Sequence, residues 1–192
     1  MKVRRFMTAI DGTCPATNCK KFAIFLKRLA KVKFLGSDFD GVMTDGFAYI
    51  SEDGKQSVRC SEKDAMGIHI MKLIGIVPFV ISGKQNKIVA ARCKTIGIDC
   101  VYGAIGSPRC KEEALLKKLA ELGLSPDQAL FIGDDINDKG ILDKVGVAFA
   151  VRDAHPEILK IVDYVTAAKG GEHAVREVCD LILGALGLQP EV

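Results

Sequence analysis

The 192-residue sequence has no apolar run long enough to cross a bilayer. Its longest stretches, such as Ile74 to Ser82, fall well short of the roughly 20 residues that a spanning helix needs. It also lacks a long basic run. Twenty-seven Lys and Arg against 24 Asp and Glu leave a net charge of +3, so electrostatics give no support for binding nucleic acid or a membrane surface. No apolar segment follows Lys2, Arg4 and Arg5, so no signal peptide is expected. Cysteines stand at 14, 19, 60, 93, 100, 110 and 179, an odd and scattered set. Cys14 and Cys19 have a loose metal-like spacing, but no second Cys or His pair completes a zinc site. Reduced thiols and a cytoplasmic location are therefore expected. Internal repeats, low-complexity segments and room for a second folded domain are absent as well.

What is present is a chain 48% apolar and 27% charged, the balance of an ordinary globular domain. At this length roughly 70% of the unfolded surface is buried on folding, so neither disulfide nor structural metal is needed to hold it.

Short apolar runs recur along the chain: Val32–Leu35, Val77–Ile81, Cys100–Tyr102, Ala129–Ile132, Val145–Val151 and Tyr164–Val165. Each is too short for a helix, and most are rich in Val, Ile or Phe, as buried parallel strands are. Helical spacing links Ile70, Leu73 and Ile74, then Leu115, Leu119 and Leu122 before a stop at Gly123, then Val178, Leu181, Ile182 and Ala185. The alternation predicts an α/β fold, a doubly wound and mostly parallel sheet with right-handed crossovers. One segment interrupts it. Phe47–Ile50 and Ser57–Arg59, around Asp53-Gly54, read as a β-hairpin inserted after the first strand. Phe22, Phe25, Leu26 and Leu29 suit an N-terminal helix within an arm spanning residues 1–30, ahead of a domain over 31–192.

The acids carry the chemical signal. Asp38 and Asp40 fall at the carboxyl end of the first strand, Asp134 and Asp135 at that of the fourth. In an open α/β sheet these two strands are neighbours, and the crevice at their carboxyl ends is the usual ligand site. Carboxylates crowded there repel one another unless a cation intervenes, and an all-oxygen donor set suits Mg²⁺ better than zinc. A single Asp at a strand end is more often a turn former or helix cap, but caps need no acidic partner across the sheet. Ser82-Gly83 ends the second strand and offers a hydroxyl and free amides to a phosphate. Lys111, after the third strand, supplies a cation facing the acids. Alone, each of these is commonly a cap or a solvated surface residue.

Together these residues resemble a family. Asp38-Phe39-Asp40-Gly41-Val42-Met43-Thr44-Asp45-Gly46 is similar to the first motif of haloacid-dehalogenase-superfamily phosphatases. Ser82 resembles the second, Lys111 the third, and Gly133-Asp134-Asp135-Ile136-Asn137-Asp138 the fourth. The lack of a cap domain, the hairpin, Val151-Arg-Asp-Ala-His-Pro156 and the tail from Lys169-Gly-Gly171 to Leu183 resemble the 3-deoxy-D-manno-octulosonate 8-phosphate phosphatases, over residues 33 to 186.

The resemblance implies Asp38 as the nucleophile, Asp40 as the acid and base, and Mg²⁺ held by Asp38, the Asp40 carbonyl and Asp134. It implies that Ser82, Gly83 and Lys111 bind the phosphoryl group, with Asp135 and Asp138 orienting the ligands or Lys111. Arg92, Lys63 and Arg59 are candidates for the substrate carboxylate, although each suits a solvated helix face or loop equally well. The substrate class implied is a small 2-keto-3-deoxy sugar acid phosphate, in lipopolysaccharide biosynthesis, with no nucleic-acid or membrane partner. A homotetramer built by the hairpin is implied too, with neighbours and the C-terminal tail as candidates for closing the clefts.

Three features depart from the family pattern. Lys63-Asp64-Ala65-Met66-Gly67 stands where Arg-Asp-Gly-Tyr-Gly is common, and Ser82-Gly83-Lys84 replaces Thr-Gly-Arg. The loop from Gly103 to Cys110 is a few residues longer than usual. Lysine cannot reproduce the fork of a guanidinium, so sugar recognition is the part most exposed to change. A nonulosonate 9-phosphate phosphatase is the near alternative. A non-catalytic assembly domain and a phosphoacceptor receiver domain are the distant ones. The receiver reading places its acceptor at Val101-Tyr102-Gly103, which has no acid.

Overall fold

Six parallel strands form the backbone of the computed structural model, which describes residues 16–103 and 110–188. In spatial order the sheet runs β5 (Asp99–Tyr102), β4 (Val77–Ser82), β1 (Phe34–Ser37), β6 (Ala129–Gly133), β7 (Val147–Ala150) and β8 (Tyr164–Val165). The chain winds outward from β1 through β4 to β5, then returns to β6 on the other side of β1. Register pairs Gly36 with both Phe79 and Phe131, so β1 is central. The strands β1, β6 and β7 are buried along their whole length. That is why they read as continuous apolar runs rather than alternating ones.

Helices α2 (Glu62–Leu73), α3 (Lys87–Ile96) and α4 (Cys110–Glu121), with short α5 (Lys139–Leu142) and α6 (Pro156–Ile161), provide the crossovers, and α7 (Ala174–Ala185) follows the last strand and packs on α2. Helix α1 (Ala16–Leu29) precedes β1. Phe25 packs 6.0 Å, ring centre to ring centre, from both Phe149 and Tyr164. Arg28 forks onto both Asp163 oxygens at 2.8 and 2.9 Å, fixing α1 beside β7 and β8. Among the described residues no helix is long and apolar enough to cross a membrane.

Three expectations change in detail. The second arm of the hairpin is Gln56–Ser57 rather than 57–59, pairing with Tyr49–Ile50. The inward stripe of α2 is Asp64, Gly67, Ile68 and Met71, while Leu73 is 73% exposed. The reason is α7. It packs along α2 through Gly67, which lies against Cys179 and Arg176, and this rotates the Ile70–Leu73 flank toward solvent. Likewise Leu122 lies beyond the end of α4, whose buried face is Lys111, Leu115 and Leu119. The 103–110 loop, apart from its ends, and Met1–Ile10 and Cys14 lie outside the described residues.

Candidate active site

Strand β1 stops at Ser37, and Asp38 follows with its amide still bonded to the Ile132 carbonyl of β6 at 3.0 Å. Asp38 is therefore held by the end of the ladder itself. Its Oδ1 accepts from the Phe39 amide at 2.7 Å and its Oδ2 from Lys111 Nζ at 2.7 Å. Lys111 lies in the first turn of α4 and also donates to Asp138 Oδ1 at 2.8 Å. All three side chains are almost wholly withdrawn from solvent. Asp138 Oδ2 accepts from the amides of Asp134 and Asp135 at 3.0 and 3.4 Å, so it ties the loop after β6 to Lys111. Asp135 is exposed and caps the following turn through the Ile136 amide.

The Asp38, Asp134 and Asp138 carboxylates each offer an oxygen within 4.8 Å of the others. With Lys111 protonated and all three acids ionised, the cluster carries a net charge of −2, which one divalent cation would neutralise. Both Asp138 oxygens are already engaged, whereas no hydrogen bond to the Asp134 carboxylate is found among the described residues. The free donor capacity thus lies with Asp134 and the outer lone pairs of Asp38. Hard oxygen donors with uncompensated charge fit Mg²⁺.

The electrostatics express the same imbalance. Burial, and then the neighbouring Asp138 charge, push the Asp38 carboxyl well above its ordinary range, against the pull of Lys111. Asp134 is pushed up to about 7 by burial, then by Asp138 and Asp135. Burial by itself would lower Lys111, but Asp38 and Asp138 together outweigh it and raise it, so the ammonium stays charged.

Asp40 lies apart from this cluster. Residues 38 to 40 have already left the strand, so the two-residue alternation that would set both side chains on one face does not operate. Asp40 Oδ1 instead meets Lys84 Nζ at 3.1 Å on the solvent side. The loop turns sharply at Gly41, where φ is +82° and a Cβ would overlap the Asp134 carboxylate. Only glycine lets the chain pass this close. Thr44, fully buried, accepts from the Gly41 and Gly46 amides at 3.2 Å and closes the turn. Ser82 is buried at the end of β4, and Gly83 faces Lys111 and Asn137.

The remaining cations stand further out. Arg92 donates to Glu62 at 2.9 Å and to the Ser61 carbonyl at 2.9 Å, so its guanidinium is committed to the start of α2. Lys63 is exposed on α2, and Arg59 pairs with Asp45 at 3.2 Å. The structure thus brings Asp38, Asp134, Asp138, Lys111, Ser82 and Gly83 to one crevice, with Asp40 at its rim, and leaves Arg92 and Lys63 outside that cluster. The Lys84–Asp40 pair was missed as a feature of the site. Its only signal was a cation two residues past a strand-end serine.

Asp38, Asp134 and Asp138, gathered with Lys111 at the ends of the central strands, form a pocket suited to a phosphate group and a divalent cation. Residues 107–178 match the haloacid dehalogenase-like hydrolases. The 3-deoxy-D-manno-octulosonate 8-phosphate phosphatase of Escherichia coli K12 is 36% identical over 162 residues, spanning 84% of this chain and 85% of that one. The crystal structure of the Yersinia pestis phosphatase superposes with a TM-score of 0.80 at 38% identity, covering 85% of this chain and 86% of the other. The Moraxella catarrhalis phosphatase, solved with magnesium, phosphate and KDO, gives 0.80 at 28% identity, covering 85% and 92%. The chain belongs to the 3-deoxy-D-manno-octulosonate 8-phosphate phosphatase family of haloacid dehalogenase-like hydrolases.

Proposed function

We propose that the chain is a Mg²⁺-dependent phosphoric monoester hydrolase that cleaves 3-deoxy-D-manno-octulosonate 8-phosphate to the free sugar acid and phosphate. The observation that carries this is the buried Asp38–Lys111–Asp138 chain beside Asp134, in a family member with the sheet topology and motif order intact.

Asp38 attacks phosphorus. With a divalent cation beside it to offset the burial and the Asp138 charge, Asp38 would be an ionised carboxylate needing no deprotonation first, and its oxygens are aimed by the Phe39 amide and Lys111. Lys111 also presents positive charge to the transferring phosphoryl group, joined by the Ser82 hydroxyl and the Gly83 amide. Asp40, at the rim, protonates the leaving sugar oxygen and then takes a proton from the water that hydrolyses the aspartyl phosphate. Asp38, the Asp40 carbonyl and Asp134 would hold Mg²⁺, which when bound would offset the repulsion between carboxylate and phosphate dianion. Asp138 orients Lys111 and the Asp134 loop, and Asp135 caps that loop.

Lys63 and Arg92 remain the candidates for the sugar carboxylate, Arg92 by exchanging Glu62 for it. A homotetramer is supported by an apolar surface on the hairpin and α2. Phe47, Tyr49 and Ile50 are 77, 73 and 68% exposed, and Met66 is 54% exposed. Residence in the cytoplasm is supported by Cys60, Cys93, Cys100 and Cys179, which stand as thiols.

Lys84 stands where the family pattern has arginine and cannot reproduce its fork, so sugar recognition is open to change and a nonulosonate 9-phosphate is the competing substrate. Turnover of both phosphates by the same preparation decides. The octulosonate ester is expected to have the higher kcat/KM, and equal or reversed preference would overturn the assignment.

A further inference from the structure

The C-terminal segment between β8 and α7 runs across the back of the loop that carries Asp40. Gly170 packs so closely on that loop that a Cβ there would overlap the Gly41 carbonyl and come within 3.0 Å of the Thr44 carbonyl. A Cβ on Gly171 would lie 2.5 Å from the Asp45 amide nitrogen. The Gly171 amide donates to the Val42 carbonyl at 2.9 Å. The Asp40 loop is therefore clamped between the Asp134 carboxylate, against Gly41, and the two glycines behind it.

The clamp is anchored at both ends. Downstream, His173 Nδ1 lies 2.7 Å from Ser61 Oγ, and the Arg176 amide donates to Asp64 Oδ1 at 2.8 Å. His173 holds a left-handed backbone (φ 76°), which is costly for a non-glycine residue and persists only where its surroundings impose it. Upstream, the Gly170 amide donates to Asp153 Oδ1 at 3.0 Å. Asp153 lies in the loop after β7, and that loop holds Asp134 as well, through the His155 amide on the Asp134 carbonyl at 2.7 Å. The contacts close a ring: Asp134 to the 151–155 loop, Asp153 to Gly170, Gly171 to Val42, and Gly41 back to Asp134.

We propose that Asp153 is a positioning residue for this hydrolase: by bonding the Gly170 amide it sets the Gly170-Gly171 strap, and the strap fixes the Asp40 loop against Asp134. Asp153 lies outside the Asp38, Asp134 and Asp138 cluster. It acts on the spacing between Asp40 and Asp134, which lie 94 residues apart in the chain. The inference rests on the phosphatase reading only for its kinetic consequence.

Three variants test it, Asp153→Ala, Asp153→Asn and Gly170→Ala, measured in the full-length protein. Hydrogen exchange of the segment 41–46 in metal-free protein is the primary readout, because it requires no turnover. Asp153→Ala is expected to speed that exchange, to weaken Mg²⁺ binding by calorimetry and to lower kcat, the latter two by about 10- to 100-fold, with KM nearly unchanged. Asp153→Asn keeps the oxygen acceptor and should restore all three. Gly170→Ala should reproduce the alanine phenotype from the other side of the bond. Unchanged exchange in Asp153→Ala, or a lowered melting temperature with normal kcat and Mg²⁺ affinity, would overturn the proposal. So would an Asn variant as impaired as Ala. A wild-type protein that hydrolyses no sugar acid phosphate would overturn the functional reading instead, and the exchange comparison would still decide the strap.

Discussion

Lys111 Nζ lies 2.7 Å from Asp38 Oδ2, and both side chains are almost fully buried. The pair joins two elements 73 residues apart, the end of the central strand and the first turn of α4. Removing one partner of a buried ion pair strands the other, which is costlier than never having had the pair. Lys111→Met should therefore lower stability by about 3–5 kcal/mol in metal-free protein at neutral pH. It should also reduce kcat by about 10²- to 10³-fold, as loss of a pre-organised charge at the reacting centre does. Urea unfolding and steady-state kinetics on the same sample check both.

Metal and pH are coupled through Asp134. Its folded-state pKa of about 7 stands above the ordinary 3.8, so the folded protein binds a proton more tightly than the unfolded chain. The stability that Asp134 permits is present at low pH and is lost as pH rises between about 4 and about 7. Asp38, raised by the same burial, adds in the same direction. The melting temperature of metal-free protein should fall across that window, and Asp134→Asn should flatten the slope. Added Mg²⁺ should raise the melting temperature more at pH 8 than at pH 5, since only the ionised carboxylate is a good ligand.

Asp64 gives a second pH effect remote from the crevice. It is buried on α2, bonds the Arg176 amide through Oδ1 and leaves Oδ2 without a partner. Burial pushes it up to about 6, against the pull of the Arg176 amide. Asp64→Asn keeps an acceptor and removes the charge, so it should gain stability over wild type as pH rises from about 4 to about 6 and hold that gain above. Asp64→Ala leaves the amide unpaired and should cost about 1–3 kcal/mol. Parallel unfolding curves at pH 5 and pH 8 separate the two.

The hairpin prediction concerns assembly. Phe47, Tyr49 and Ile50 are largely exposed among the described residues, so Phe47→Asp with Ile50→Asp should leave the monomer fold intact. Sedimentation should report a tetramer for wild type and smaller species for the double variant. A wild-type monomer would refute the assembly.

Much of this arrangement was readable from residue order. Strand ends are legible because buried parallel strands are short apolar runs, and Asp38 and Asp134 follow two of them directly. The neighbourhood of β1 and β6 follows from winding rules that do not depend on side chains. What could not be read depends on rotation and on distant partners. Nothing local tells α2 to bury Met71 and expose Leu73, because α7, a hundred residues on, makes that choice. A two-residue alternation carried past β1 would set Asp40 on one face with Asp38, but the strand ends at Ser37 and the turn at Gly41 sends it toward Lys84. Asp153 carried no signal of its own, since its partner is a backbone amide.

Turnover by this mechanism passes through a phosphoryl group carried on Asp38. Rapid quenching of the enzyme with Mg²⁺ and 3-deoxy-D-manno-octulosonate 8-phosphate in acid, followed by peptide mass spectrometry, tests it directly. A phosphoryl group is expected on the peptide containing Asp38 and absent from Asp38→Asn, which should still fold. Hydrolysis by Asp38→Asn at the wild-type rate, or phosphate trapped on another residue, would contradict it.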